Sequence, residues 1–263
     1  MNYIDCHSHL TDLRLMPSLA EIIRSAQEQG IQYFMQGGVD PADWQRQLEL
    51  KKKYPGSIGC GFGVHPYFVM DHSEEECGAA LDELTQVAHL ADGLGEMGLD
   101  FRPHLMKDSK ERQYDVFESQ IELANVIQKP MILHIVQAHP EALRLFDLMS
   151  PGRSRGLVHA FNGSLEIAQS WIDKGFLISI GGAVTFDKNQ KLQKAVAQIP
   201  LESFCIESDA PDQKPENWPH ELNYPESILN VALKIGKIRG MNTSEILKIS
   251  SSNFQRMFGR PNI

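Results

Sequence analysis

Tyr3-Ile4-Asp5-Cys6-His7-Ser8-His9-Leu10 is a short apolar run followed at once by two histidines one residue apart. The run has strand character. On an extended segment, side chains two apart point the same way. Both imidazoles therefore reach one point just beyond the strand end, an arrangement suited to a metal ion. Taken alone, a His-x-His pair also occurs in loops that hold nothing. Its weight comes from the comparable strand ends that recur down the chain.

Working outward, the same unit repeats. Leu19, Ile22, Ile23 and Ala26 have helical spacing between Pro17 and Gln29, and Gly30 follows as a stop. Ile31 to Met35 predicts a second strand running into Gly37-Gly38. Asp40 as N-cap and Pro41 at the first helical position begin a helix to about Tyr54. Ile58 to Val64 predicts a third strand ending at His65-Pro66, and a helix follows from about Glu74 to His89. The first part of Gly93 to Asp100 predicts a fourth strand, carrying Glu96. Asp108 and Glu111 predict a capping pair for a helix to about Gln128. Pro130 to Leu133 is the fifth strand, ending at His134, and a helix spans about Pro140 to Met149. Gly156 to Val158 ends at His159, and Ser164 caps a helix that stops at Gly175. Phe176 to Ile180 ends at Gly181-Gly182, a short helix covers Lys191 to Gln198, and Phe204 to Glu207 is the eighth strand, with Asp209 just past it. Helices from Glu226 to Arg239 and Thr243 to Phe258 complete the series.

Eight strands alternating with helices over 263 residues predict the α/β class, as one (β/α)8 TIM barrel domain over 1–263 with a metal site at the C-terminal face of its strands. A doubly wound open sheet is the alternative architecture. The polar, proline-rich stretch from Pro211 to Pro225 reads as a long loop over the site.

A hydrophobic content of 42% supplies a large core. The net charge of −9 argues against a duplex-DNA binder held mainly by counterion release. It leaves open an enzyme that grips phosphates through metal ions. Cys6, Cys60, Cys77 and Cys205 show no Cys-x-x-Cys spacing, and three of them sit in apolar runs, so buried thiols are expected rather than disulfides. Asp5, His7 and His9 interrupt any signal-peptide core, and no run of about 18 apolar residues could span a membrane. The expectation is a soluble cytoplasmic protein with no obligatory protein partner.

In such a barrel the strand ends converge on one face. They carry His7 and His9, Gly37, His65, Glu96, His134, His159, Gly181 and Asp209. His7, His9 and Asp209 are expected to hold one divalent cation and His134 and His159 a second, with Glu96 bridging them. Two cations about 3.5–4 Å apart acidify water and neutralise charge on an attacked oxygen. Mixed imidazole and carboxylate donors suit zinc, manganese, iron or nickel better than calcium. Asp209 also stands where it can take a proton as general base. His65 is a candidate substrate contact, and Arg102 a candidate phosphate contact; ordinary structural roles are the alternative for both. Glu207 is a candidate support for the site, and the Trp218 loop a candidate shield.

Several segments occur in order: Asp5-Cys6-His7-Ser8-His9-Leu10, Gly63-Val64-His65-Pro66, Gly95-Glu96-Met97-Gly98-Leu99-Asp100, Pro130-Met131-Ile132-Leu133-His134, His159-Ala160-Phe161-Asn162-Gly163, Thr185-Phe186 and Glu207-Ser208-Asp209-Ala210-Pro211. Asn253-Phe254-Gln255-Arg256-Met257-Phe258 closes the series. In these the chain resembles the TatD family of metal-dependent hydrolases, within the amidohydrolase superfamily. The resemblance implies a (β/α)8 barrel with two divalent metals, in a family whose better-known members are magnesium-dependent deoxyribonucleases. It places the family's metal residues on His7, His9, Glu96, His134, His159 and Asp209. Glu96 falls where many superfamily relatives use a carbamylated lysine.

Two stretches depart from the family pattern. Ile135-Val136-Gln137 follows His134 where the family often has Ser-Arg or a similar pair. After Asp209 the family usually shows a basic Arg-Gly-Lys-type run and then Asn-Glu-Pro; here Trp218 to Pro225 follows, with Tyr224 in the glutamate's place. That loop should border the substrate, so the departure bears on substrate and leaves the metal chemistry alone. The expected function is a two-metal phosphodiesterase, a deoxyribonuclease trimming DNA from an end. The alternative is the same mechanism applied to a C–N or ester bond of a small molecule. A binding protein with a structural metal is a third class, but six donors exceed the four a structural zinc needs.

Overall fold

Parallel strands supply the frame that the strand ends require. In the computed structural model, which describes residues 2–106, 108–149 and 155–259, they are β1 (Tyr3–Ser8), β2 (Ile31–Gln36), β3 (Ile58–Gly59), β4 (Gly61–Phe62), β5 (Gly93–Asp100), β6 (Met131–Val136), β7 (Gly156–Val158), β8 (Phe176–Ile180) and β9 (Phe204–Ile206). They pair in chain order, β1-β2-β3 and then β4 through β9, all parallel.

The expected strand from Ile58 to Val64 is in fact two pieces broken at Cys60. β3 bonds back to β2, with Phe34 opposite Ile58, and β4 bonds forward to β5, with Gly61 opposite Gly93. Glycine permits the hand-over, because a Cβ at Gly61 would lie 2.4 Å from the Gln36 carbonyl oxygen and 2.9 Å from that of Gly95. On the far side, the Asp209 N–H donates to the His7 carbonyl (3.1 Å) and the His9 N–H to the Ala210 carbonyl (2.7 Å), which joins the last strand to the first. The sheet is a barrel. The Gly93-Leu94-Gly95-Glu96-Met97-Gly98 run has the spacing of a dinucleotide-binding turn, yet it lies wholly inside β5 and opens no helix.

Neighbouring strand residues face opposite ways, and two buried clusters follow from this. Ile4, Cys6, Tyr33, Met35, Ile132, Leu157, Leu177 and Cys205 pack together with Phe254. Tyr3, Phe34, Leu133, Val158, Ile178, Phe204 and Ile206 belong instead to the larger cluster formed with the helices. The first set fills the barrel and the second lies under its helical coat.

The coat comprises α1 (Leu19–Glu28), α2 (Pro41–Lys53), α3 (Pro66–Asp71), α4 (Glu74–Val87), α5 (Pro103–Met106), α6 (Lys110–Ile127), α7 (His139–Met149), α8 (Leu165–Asp173), α9 (Gln190–Gln198), α10 (Ile228–Arg239) and α11 (Thr243–Phe258). Asp40 caps α2 as expected, accepting from the Asp43 N–H at 2.7 Å. The expected Asp108/Glu111 pair does not form. Ser109 takes the N-cap of α6 at φ −124°, ψ −2°, short of the extended conformation a capping side chain needs, and its hydroxyl accepts from Gln113 Nε2 instead. Ser164 stands at the N-cap of α8 without a capping bond. The short helices α3 and α5, which sequence periodicity did not indicate, follow strand ends on the site face.

α11 closes the barrel floor. Ser251 Oγ accepts from the Ile4 N–H (3.1 Å) and Ser250 Oγ from the Ile206 N–H (2.8 Å), while Asn253 Nδ2 donates to the Leu201 and Phe204 carbonyls. All four cysteines are buried and none is in a disulfide. No helix among the described residues is long and apolar enough to cross a membrane.

Candidate metal centre

The strand ends bring His7, His9, Glu96, His134, His159 and Asp209 together. His7 Nε2 and His9 Nε2 lie 3.3 Å apart. Asp209 Oδ1 stands 3.6 Å from the first and 3.5 Å from the second. His134 Nδ1 is 3.0 Å from His159 Nε2. Glu96 divides its oxygens between the two histidine sets. Oε2 lies 3.4 Å from His7 Nε2 and 3.1 Å from His9 Nε2. Oε1 lies 2.6 Å from His159 Nε2 and 2.9 Å from His134 Nδ1.

The donor atoms fall into overlapping groups, each spanning no more than 4.8 Å: His7, His9 and Glu96; His7, His159 and Asp209; His65, Glu96 and His134. His159 therefore stands with His7 and Asp209 as well as beside His134. Glu96 Oε2 and the Nδ1 atoms of His7 and His159 are buried without a hydrogen-bond partner. Buried polar groups are seldom left so. A crowd of acceptor atoms converging on a few ångströms, with few donors among them, fits divalent cations.

The surroundings hold these side chains in place. His9 Nδ1 is 3.0 Å from the Gly37 carbonyl, and the Leu10 N–H donates to Gln36 Oε1 at 2.8 Å, which fixes the turn carrying His9. A Cβ on Gly37 would meet His7 Cε1 at 2.3 Å and Glu96 Oε2 at 2.9 Å, so only glycine leaves the room this cluster occupies. Asp100 Oδ2 lies 3.0 Å from His134 Nε2, the ring nitrogen away from Glu96. A carboxylate in that position sets ring orientation and raises ligand basicity. Asp5 accepts from both the N–H (2.8 Å) and the hydroxyl (2.6 Å) of Ser208, tying β1 to the residue before Asp209. Asp209 itself is left-handed, at φ 54°, a conformation Asp tolerates better than most residues.

Burial and neighbouring charge tune the groups. Burial, together with the charge of His159, brings His7 down to about 4, so its ring is neutral with a lone pair to offer. Burial and His134 do the same to His65, also to about 4. Burial opposes charge on His9 and His134 as well. It is overcome at His9 by Asp209 and Glu96, which hold the imidazole well above its usual range, and at His134 by Asp100 and Glu96, which push it up to about 9. Burial opposes ionisation of Glu96 too, yet His159, His65 and His7 keep its carboxyl well below the usual range. Asp209 is likewise kept low against burial by His9, His159 and His7. Without cations, the two retained protons thus sit on opposite sides of Glu96, where they neutralise carboxylate charge.

The remaining sequence candidates are placed as follows. His65 points Nε2 at Glu96 Oε1 (3.5 Å), while its Nδ1 accepts from the Tyr67 N–H and so caps α3. Arg102 lines the cavity above the centre, but its guanidinium is held by Asp100 and donates to the Tyr67 hydroxyl. Glu207 accepts from Ser179 Oγ and the Ala160 N–H, and stands 3.9 Å from His159 Nδ1. Burial and the charge of Asp209 raise its carboxyl well above the usual range. Of the long loop after β9, Asp212 and Gln213 reach the cavity, whereas Trp218 turns its indole onto the Leu222 carbonyl of its own loop. The sequence reading passed over Asp100 and Gly37. Strand periodicity gives a signal for the first, since residues four apart in β5 share a face and Asp100 follows Glu96 by four. A glycine carries no such mark.

Three comparisons bear on what this geometry is. The family model described as TatD related DNase matches residues 4–259. An uncharacterized metal-dependent hydrolase, YabD of Bacillus subtilis, is 31% identical over 254 residues, covering 97% of this chain and 98% of that one. The deoxyribonuclease TATDN3 of Homo sapiens is 26% identical, covering 97% and 94%. The crystal structure of YJJV, a TatD homologue from Escherichia coli, superposes with a TM-score of 0.90 at 26% identity over 98% of each chain.

Proposed function

Because the chain belongs to the TatD family of DNase-related metal-dependent hydrolases, we propose that it hydrolyses phosphodiester bonds of DNA with two divalent cations, of zinc, magnesium, manganese or a similar metal. The observation that carries the reading is Glu96, whose two carboxylate oxygens face two different histidine sets across one buried centre. His7, His9 and Asp209 would hold one cation, His134 and His159 the other, and Glu96 both. Cations so held lower the pKa of water and offset charge on a phosphoryl oxygen.

The chain's own groups do the rest. Asp209, kept ionised by the histidines around it, accepts the proton of the attacking water. Asp100 and the Gly37 carbonyl keep His134 and His9 turned inward. His65 and Tyr67 line the cavity of about 670 Å³ above the centre, where they meet the substrate phosphate, and Arg102 stands beside them.

The test is shortening of end-labelled single-stranded DNA by metal-loaded protein, beside an Asp209→Asn variant. Shortening that requires metal and disappears in the variant supports the reading. A preparation that holds about two metals per chain and leaves DNA intact overturns it. Turnover of small esters, lactones or amides would then point to the other substrate class.

A further inference from the structure

A second cavity of about 500 Å³ opens beside the one over the metal centre, and Asn162 and Gln213 line both. Its other walls are Ala183, Phe186, Asn189 and the two lysines Lys188 and Lys214. The charge around the two cavities differs in kind. Over the metal centre each arginine is engaged by carboxylates: Arg14 by Asp12 (2.8 Å) and Asp212 (2.7 Å), Arg46 by Asp43 (3.2 Å), and Arg102 by Asp100. In the second cavity Lys188 and Lys214 are exposed, and among the described residues neither has a carboxylate within ion-pair distance. Lys214 Nζ donates to the Glu221 carbonyl at 2.8 Å, and Lys188 Nζ lies 5.9 Å from the centre of the Phe186 ring. The nearby acids are occupied elsewhere, Asp187 with Lys234 (2.6 Å) and Glu216 with the Asp187 N–H (3.1 Å).

An aromatic face, two ammonium groups and carboxamides, set next to a phosphodiester-cleaving centre, match the parts of one nucleotide. Bases stack on aromatic rings without regard to sequence, and cations track the backbone of a single strand. We propose that this cavity is a subsite for the nucleotide adjoining the scissile phosphate of a single-stranded chain. Its base lies against Phe186 and its phosphate meets Lys188 and Lys214. The subsite rests on the phosphodiesterase reading, and it gives the Thr185-Phe186 segment a part in the chemistry.

The experiment compares metal-loaded wild-type protein with a Lys188→Ala/Lys214→Ala double variant and with Phe186→Ala. Two substrates are used: a single-stranded DNA oligonucleotide, and bis(p-nitrophenyl) phosphate, which is too short to reach the second cavity from the centre. The double variant should lose about ten-fold or more in kcat/KM on the oligonucleotide relative to the small diester, mostly through KM. The salt dependence of oligonucleotide KM should flatten by about 1.4 in log–log slope, from about 0.7 for each lost phosphate contact. Phe186→Ala should raise oligonucleotide KM about ten-fold, and Lys188→Arg/Lys214→Arg should restore the salt slope. If wild-type protein cleaves both substrates and the double variant keeps the same ratio and slope, the subsite is wrong and the phosphodiesterase reading stands. If loaded wild-type protein cleaves neither, both fall.

Discussion

Replacing Gly37 by alanine changes no donor atom, so it isolates the geometry of the metal centre from its chemistry. The added methyl would lie 2.3 Å from His7 Cε1, 2.9 Å from His9 Cε1 and 2.9 Å from Glu96 Oε2, against ordinary contacts of 3.4–4 Å. His7 must therefore retreat by about 1 Å, and it has little room, since its ring centre lies 4.3 Å from that of His159. Movement of the Gly37 backbone instead would withdraw the carbonyl that anchors His9 and strain the Gly37 N–H bond to the Ser8 carbonyl (3.0 Å). Metal–ligand distances tolerate only about 0.2 Å, and a displacement of about 1 Å in a reacting centre costs on the order of 100-fold. Metal affinity and turnover should each fall about 100-fold, equivalent to about 2.7 kcal/mol. Overpacking should add about 1–3 kcal/mol of lost stability. Calorimetric titration with zinc or manganese, with metal content by elemental analysis, reads the first effect, and denaturant unfolding the second. Gly78→Ala is the control, since a Cβ there meets nothing within 4 Å. A Gly37→Ala protein that binds metal with wild-type stoichiometry and affinity would refute the argument that these side chains close on one compact site.

Three further outcomes follow from the geometry. Asp100→Asn removes the charge beside His134 Nε2 but keeps the shape; metal affinity in the same titration should drop about 10–100-fold, and an unchanged isotherm would deny Asp100 its positioning role. His139 accepts from Trp171 Nε1 at 3.1 Å, and burial, with the charge of Lys191, lowers it to about 4. The unfolded chain takes that proton near pH 6.5 and the native protein does not, so stability is full above pH 6.5 and is lost as pH falls toward 4, by about 3 kcal/mol. The gap in unfolding free energy between wild type and His139→Leu should narrow over that window, and parallel curves would sink the assignment. Ser250→Ala leaves the buried Ile206 N–H without its 2.8 Å acceptor and should cost about 1–3 kcal/mol in urea unfolding; a midpoint equal to wild type would show that the strand finds another partner.

The barrel and the convergence of its strand ends were legible because parallel βα units leave periodic marks, and the chemistry-bearing residues recur in phase with them. His134 and His159 can be read from one-dimensional order alone, since each simply follows an apolar run. What stayed hidden depended on what is close in space. The break at Cys60 arises because Gly61 passes too near the Gln36 and Gly95 carbonyls for any side chain, a relation invisible along the chain. Gly37 matters only because His7 and Glu96 arrive there from other strands. At α6 the local signal misled: Asp108 and Glu111 have capping spacing, but Gln113 claims the Ser109 hydroxyl and the turn settles one residue later. Arg102 read as a free cation, whereas the fold sets Asp100 and Tyr67 against it.

The serines of α11 have a consequence for the order in which the molecule is completed. The first and last strands meet across a sequence separation of 203 residues at Asp5 and Ser208, and the amides of Ile4 and Ile206 are satisfied by hydroxyls from a helix made later still. Chains emerge from the ribosome N-terminus first, so β1 must wait with an open edge while every other strand is laid down. Contacts of such long range are the slow ones to form. His7 and His9 wait with it, because Asp209 lies beyond the same seam. A nascent or truncated chain that lacks α11 is thereby denied a finished cation cage, and the capacity to retain metal becomes a quality mark that only a fully closed molecule carries.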